Sequence, residues 1–299
     1  MKITLIGSIG NISKPLAEIL IKNGHDVTIV SNTPQKTTAI EALGAKAAVG
    51  SVSDVGFLTS AFKGADAIYT MVPPDWSASN YLQYITETGK NYVDAINASG
   101  VKRVVNLSSI GAHLSEGTGS IAGLHAVEQM MNTLDGVAIK HLRPGLFYVN
   151  FFFDMGTIRH TGIMGNNYGG QTNLVMVHPK DIAEAVAQEL QNSFEGKSYR
   201  YVAGEERQVA DVVKILGTAI GKTELPWVTF SDQEMLAGMI AAGMSEAIAK
   251  LYVEMGHAIG SGILFEDFNQ HQPKSWGDIK LTDFADDFAA VYNSTIISN

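Results

Sequence analysis

The stretch Ile3-Thr4-Leu5-Ile6-Gly7-Ser8-Ile9-Gly10-Asn11-Ile12-Ser13 narrows the possible folds more than any other part of the sequence. A short apolar run breaks at a glycine. A helical stripe of Ile12, Leu16, Ile19 and Leu20 then begins at once and stops at Asn23-Gly24. A glycine-rich turn between a strand and a helix is where a dinucleotide pyrophosphate sits, on the N–H groups of the helix N-terminus. Gly7 is expected to make the tight turn, and Gly10 to let the ligand approach the backbone. Ser8, Asn11 and Ile12 complete the candidate contacts. Ser13 stands where a third glycine is common; it is small enough for close packing and is expected to cap the helix that Pro15 opens. The alternative reading is a tight turn with no ligand.

Further apolar, partly β-branched runs occur at Val27–Val30, Lys46–Val49, Ala67–Val72, Arg103–Leu107 and Ala138–Leu142, with helical patterns between them. Strands buried on both faces read in this way, and their alternation with helices predicts an α/β fold with a doubly wound parallel sheet of the Rossmann kind. From about Phe147 the rhythm changes. Gly156–Gly170, rich in Gly and Asn, reads as an irregular loop. Helices are expected at Lys180–Gln191 and Ala210–Ile220, with a short strand near Tyr199–Ala203. Residues 1–150 are therefore expected to form the dinucleotide-binding core. Residues 151–299 are expected to form a smaller, mainly helical substrate lobe interleaved with it.

Composition removes several classes of function. The 299 residues include no cysteine, which excludes disulfides, thiolate nucleophiles and cysteine-held metals. With 21 basic against 30 acidic residues, the net charge of −9 argues against direct binding to nucleic acid. No apolar run reaches spanning length, and the chain enters a strand where a signal peptide would stand, so no membrane association and a cytoplasmic location are expected. Glu254 and His257 lack a partner motif, so no metal site is expected. Asp286-Asp287 reads as a solvated helix face, and no Gly-x-Ser-x-Gly elbow indicates an esterase.

The nucleotide is read at the tip of the second strand, Val30-Ser31-Asn32-Thr33-Pro34-Gln35-Lys36. The carboxylate that favours NAD is missing there, and so is an arginine for NADP. Asn32, Thr33 and Lys36 supply neutral donors and one charge, which favours NADP(H) over NAD(H); the alternative is a plain polar turn. Thr70, Met71 and Val72, ending the fourth strand, and Ser108, after the fifth, lie where open α/β sheets bind ligands. Phe147, Tyr148 and Asn150, after the sixth, are candidates for a flat substrate pocket, although most of the aromatic run Phe147–Phe153 reads as core. Met235, Met239 and Met244 read as core before they read as a lid. Asp54 reads as a helix cap.

In this order and spacing, several motifs resemble the NmrA-like branch of the atypical short-chain dehydrogenase/reductases. They are the Gly7–Ser13 turn, Gly50-Ser51-Val52-Ser53-Asp54, the run Ser99–Ser109, Leu124-His125-Ala126-Val127-Glu128, Leu142–Asn150, Val177–Ala183, and a C-terminal part with Met235–Gly243 and Gln272–Trp276. The resemblance implies an NAD(P)H-dependent oxidoreductase acting on a small quinone-like or other flat electron acceptor. Its alternative is a non-catalytic NADP(H)-sensing regulator with a protein partner; homodimerisation stays open. Family members commonly carry an arginine at the Asn32 position, which is absent here. Many short-chain dehydrogenases use Tyr-x-x-x-Lys for proton transfer. If His125 holds the lysine place, the tyrosine place holds Ile121, which cannot donate a proton. His125 is then the candidate acid, or a contact to ribose or nicotinamide, or a histidine bonded to backbone.

Overall fold

The computed structural model describes residues 1–297; residues 298 and 299, the end of the expected lobe, lie outside them. Among the described residues the strands are β1 (Lys2–Ile6), β2 (Asp26–Ser31), β3 (Lys46–Val49), β4 (Ala67–Thr70), β5 (Arg103–Leu107), β6 (Ala138–Pro144), β7 (Leu146–Phe147), β8 (Met164–Asn166), β9 (Asn173–Val177), β10 (Lys197–Val202), β11 (Glu205–Gln208) and β12 (Trp227–Thr229). The helices are α1 (Ser13–Lys22), α2 (Thr37–Ala42), α3 (Val55–Phe62), α4 (Tyr81–Ser99), α5 (Ile121–Asn132), α6 (Asp154–Thr161), α7 (Pro179–Gln191), α8 (Val209–Ala219), α9 (Asp232–Ala241), α10 (Glu246–Ser261), α11 (Glu266–Gln270) and α12 (Leu281–Ile297). They form two compact units. One comprises Met1–Ser115, Ile121–Arg143 and Ile182–Arg200; the other comprises Glu116–Ser120, Pro144–Asp181 and the chain from Tyr201. The sheet unit thus takes residues 182–200 from the expected lobe and gives up 116–120 and 144–150.

The sheet has the order β10-β6-β5-β4-β1-β2-β3. β1 pairs in parallel with β2 and β4, β2 with β3, β4 with β5, and β5 with β6. The chain winds outward from β1 in one direction and then in the other, so a crevice opens at the carboxyl ends of β1 and β4. Ile3, Thr4, Leu5 and Ile6 are all buried, as are all four residues of β4. Continuous burial of this kind explains why these strands read as unbroken apolar runs instead of alternating ones. Helix ends follow local chemistry. Asp54 accepts from the Phe57 N–H at 3.0 Å and Asn80 from the Gln83 N–H at 3.1 Å. Gly100 closes α4 in the left-handed conformation. α4 and α5 approach through reciprocal glycines: a Cβ on Gly89 would meet Val127 at 2.6 Å, and one on Gly123 would meet Ile85 at 2.9 Å.

A buried polar row crosses the strands. Thr70 Oγ1 donates to Asn106 Oδ1 (2.9 Å), and Asn106 Nδ2 donates to His141 Nδ1 (3.1 Å). His141 Nε2 in turn donates to Asn132 Oδ1 (3.1 Å). Two residues along β6 from His141, Arg143 makes a bidentate pair with Glu128 at 2.9 and 2.6 Å, both side chains buried, and stacks its guanidinium on Tyr199 at 4.2 Å.

The second unit is mainly helical, with β11 antiparallel and β7 parallel to β9, and β12 parallel to β8. Glu205 organises it, accepting from the Tyr148 hydroxyl, the Leu281 N–H that starts α12, and Arg207 Nε. Asp181 accepts from the Ile279 N–H, and a Cβ on Gly277 would lie 2.3 Å from its carboxylate. The expected irregular loop at 156–170 is instead part of α6, closed by left-handed Gly162, followed by β8. Only Met155 and Ile158 anchor that helix, so its apolar stripe is too short to read. Asp286 and Asp287 are exposed, Met235 is buried, and Met239 and Met244 are half-buried. No helix among the described residues is long and apolar enough to cross a membrane.

Candidate cofactor and active site

The turn after β1 is built by backbone conformation. Gly7 has φ +113°, and a Cβ there would fall 2.5 Å from Ser13 Oγ and 3.4 Å from the Met71 side chain. Only glycine fits. Ser13 differs from expectation. It lies inside the first turn of α1, whose cap position is Ile12 without a side-chain cap, and its hydroxyl donates to the Ile6 carbonyl at 3.0 Å. The serine therefore ties helix to strand rather than satisfying helix N–H groups. Ser8 is the one non-glycine residue among those described with positive φ, at 56°. Its N–H donates to the Val30 carbonyl (3.0 Å) and its hydroxyl to Ser31 Oγ (2.9 Å).

Gly10 contrasts with Gly7. A Cβ there would meet only the Gly7 carbonyl, at 3.2 Å, and the space beyond is open. Gly10 and Asn11 are exposed at the N-terminal end of α1, where the Gly10 carbonyl accepts from the Lys14 N–H at 3.1 Å. The side chain of Ile12 is 7% exposed, so only its backbone N–H can serve a ligand.

At the end of β2, Ser31 is buried and accepts from the Thr33 N–H at 3.2 Å. Asn32 is exposed and accepts from Thr33 Oγ1 at 3.0 Å, and half-buried Lys36 stands in the Pro34–Lys36 turn. The sequence pattern points to the turn after β2, whereas the last strand residue, Ser31, is the one that bonds to the glycine loop, and its residue type carries no signal of that.

The β4 exit is supported from α4: Tyr92 donates its hydroxyl to the Met71 carbonyl (2.7 Å), and Tyr84 donates to the Pro73 carbonyl (2.8 Å). Thr70 is fully buried and committed to Asn106, so its side chain is part of the core and not of a ligand site. Met71 and Val72 are half-buried. Ser108 is 5% exposed; its N–H donates to the Leu142 carbonyl (2.7 Å), and its hydroxyl has no partner. A buried hydroxyl left without a partner is costly, and at the ligand edge of an open sheet it marks a place for a polar ligand group or water.

His125 is half-buried on α5, and its Nδ1 lies 2.9 Å from the Ala112 carbonyl. A carbonyl only accepts, so Nδ1 carries hydrogen and Nε2 is the position left to exchange a proton. Ile121, four residues earlier, is buried.

In the second unit the three candidate substrate contacts separate. Asn150 is exposed and Phe147 half-buried. Tyr148 is fully buried, packed on Phe284 at 5.7 Å with its hydroxyl on Glu205 at 2.8 Å. Tyr148 is thus a beam of that unit's interior, not a pocket wall. The aromatic run is not uniformly core either: Phe152 packs on Phe284 and Phe288, while Phe153 is 77% exposed.

A protein-family model described as NAD(P)H-binding matches residues 7–137, the segment that holds the glycine turn, the β2 tip, the β4 exit, Ser108 and His125. An uncharacterized oxidoreductase of Bacillus subtilis, YfjR, is 31% identical over 126 residues, 42% of this chain. The match spans 38% of that relative's length. Among solved structures, the Escherichia coli NADPH-dependent quinone oxidoreductase QOR2 in complex with NADPH aligns over 95% of this chain and 98% of its own, with a TM-score of 0.81 at 20% identity. The Citrobacter triphenylmethane reductase with NADP(H) aligns over 96% and 99%, at 0.77 and 19%. A Staphylococcus aureus nucleoside-diphosphate-sugar epimerase aligns over 96% and 100%, at 0.78 and 19%. What these solved structures share with the chain is the fold, a Rossmann-type doubly wound sheet.

Proposed function

We propose that the chain is an NAD(P)H-dependent oxidoreductase that reduces a flat, quinone-like acceptor. The observation that carries the reading is the open face at Gly10 in a turn otherwise closed by Ser13 and Met71: a cradle that one Cβ would begin to fill. The residues present fit a dinucleotide. Gly10, Asn11 and the Ile12 N–H would hold the pyrophosphate, Ser8 and Ser31 would face the ribose, and Ser108 would offer its hydroxyl. Without a carboxylate at the β2 tip, Asn32, Thr33 and Lys36 would accept a 2′-phosphate, which favours NADPH.

When bound, the nicotinamide supplies hydride, the difficult part of the chemistry. The chain's part is orientation and one proton. Reducing a quinone-like acceptor to its hydroquinone takes one hydride and one proton in all. His125, held by Ala112 through Nδ1, would donate from Nε2 when protonated. Tyr148 has no part in this, being buried.

The second reading, a sensor of NADP(H) without turnover, is favoured by that same burial of Tyr148 and, if His125 holds the lysine place, by Ile121 where an acid would stand. NADPH binding by calorimetry, on wild type and Gly10→Val, tests the cofactor site. NADPH oxidation with a panel of quinones then separates the two readings. Micromolar binding lost in the variant, with turnover, supports the reductase. Tight binding without turnover on any acceptor supports the sensor.

A further inference from the structure

Beyond the β4 exit, the loop Pro73–Asn80 holds its own shape. The Asp75 carboxylate accepts from both the N–H (3.0 Å) and the hydroxyl (2.6 Å) of Ser77, and the Asp75 carbonyl accepts from the Ala78 N–H. Asn80 caps α4, and the Tyr84 hydroxyl pins the Pro73 carbonyl. On this frame three rings lie in a stack. Trp76 and Tyr81 are 5.3 Å apart at 19°, and Tyr81 and Tyr84 are 6.1 Å apart at 22°. Trp76 is 50% exposed.

The nearly parallel stack ends on a ring half open to solvent, so Trp76 offers an aromatic surface that its own neighbours hold in place. The stack lies at the ligand edge of the sheet, a few residues beyond Met71, whose side chain borders Gly7. We infer that Trp76, backed by Tyr81 and Tyr84, is the plate on which a flat aromatic electron acceptor stacks, and that the neighbouring Asp75 carboxylate selects neutral or cationic acceptors over anionic ones. The Ser77 hydrogen bonds hold that carboxylate below its usual range, so it is charged at neutral pH. The inference rests on the reductase reading and adds to it a specificity determinant. Trp76 positions the acceptor and exchanges no proton or electron.

The test uses the whole chain and two probes of similar ring area, neutral 1,4-naphthoquinone and anionic 1,2-naphthoquinone-4-sulfonate. Trp76→Ala is expected to raise KM for the neutral quinone about tenfold with kcat and NADPH affinity little changed, and Trp76→Phe to recover most of the loss. Asp75→Asn is expected to lower the ratio of the sulfonate's KM to that of the neutral quinone, and an unchanged ratio would remove Asp75 as the selecting charge. Tryptophan fluorescence gives a readout independent of turnover. Without NADPH, the neutral quinone is expected to quench wild type more than Trp76→Phe, the difference reporting Trp76 against Trp227 and Trp276. Quenching at Trp76 without turnover would keep the plate and remove the reductase reading. Turnover with an unchanged KM in Trp76→Ala would keep the reductase and overturn the plate. Quenching by NADPH alone, with none by the quinone, would also overturn it, because the ring stacked there would then be adenine.

Discussion

Acid should loosen the sheet through His141. Its imidazole is 2% exposed and is held neutral by the row Thr70–Asn106–His141–Asn132, in which Nδ1 must accept and Nε2–H must donate. Protonation would set two N–H groups, those of Asn106 and His141, against each other. Burial is the main force, with Arg143 and Lys197 adding repulsion against the opposing attraction of Glu128; together they lower the pKa from 6.5 to about 4. Below 6.5 the unfolded chain takes up a proton that the folded chain refuses. The stability is therefore complete above that pH and is lost as pH falls toward 4. The shift is worth about 3 kcal/mol in all, at about 1.4 kcal/mol per pH unit. Asp154 works in the opposite sense: burial raises its carboxyl from 3.8 to about 7, so its contribution declines as pH rises through that range. The measurement must separate them. Native-state hydrogen exchange at the β5 and β6 amides, corrected for intrinsic rates, reads the sheet locally in an Asp154→Asn background. In that background the opening free energy should fall steadily from about pH 6.5 downward, whereas His141→Gln should be less stable at neutral pH but flat through the same window. Equal slopes with and without His141 would refute the argument, whatever the difference at pH 7.

Two further outcomes follow from single contacts. Glu128→Gln removes the carboxylate charge paired with the buried Arg143 guanidinium and should cost about 3–5 kcal/mol in chemical denaturation. The double change Glu128→Leu with Arg143→Met should recover most of that loss, and a failure to recover would mean that the ion pair is not what holds this part of the sheet. Lys36→Ala should weaken NADPH about tenfold while leaving NADH unchanged, read by calorimetry. An equal loss for both nucleotides would place Lys36 away from the 2′-phosphate.

Most of the sheet was legible because β1 and β4 are buried on both faces, so their residue types alone mark them. The turn was legible because Gly7 and Gly10 sit between a strand and a helix. What stayed hidden depends on distant partners. Ser13 looks like a cap because serine caps helices, yet the Ile6 carbonyl is closer to hand. Tyr148 looks like a pocket wall until Glu205, 57 residues on, takes its hydroxyl into the interior. The run 156–170 hides α6 because its buried residues are too few to make a period. Trp76, Tyr81 and Tyr84 show no motif at all, since their stacking depends on how the loop before α4 folds back on itself.

The two tyrosine hydroxyls on the Met71 and Pro73 carbonyls carry a kinetic consequence. They lock the chain leaving β4 to the body of α4, so that edge of the crevice is already shaped before any nucleotide arrives. Little ordering is left to the encounter, so NADPH and NADH should associate at similar rates. Discrimination between nucleotides will then appear in residence time: the cofactor that fits is not found faster, but is released more slowly.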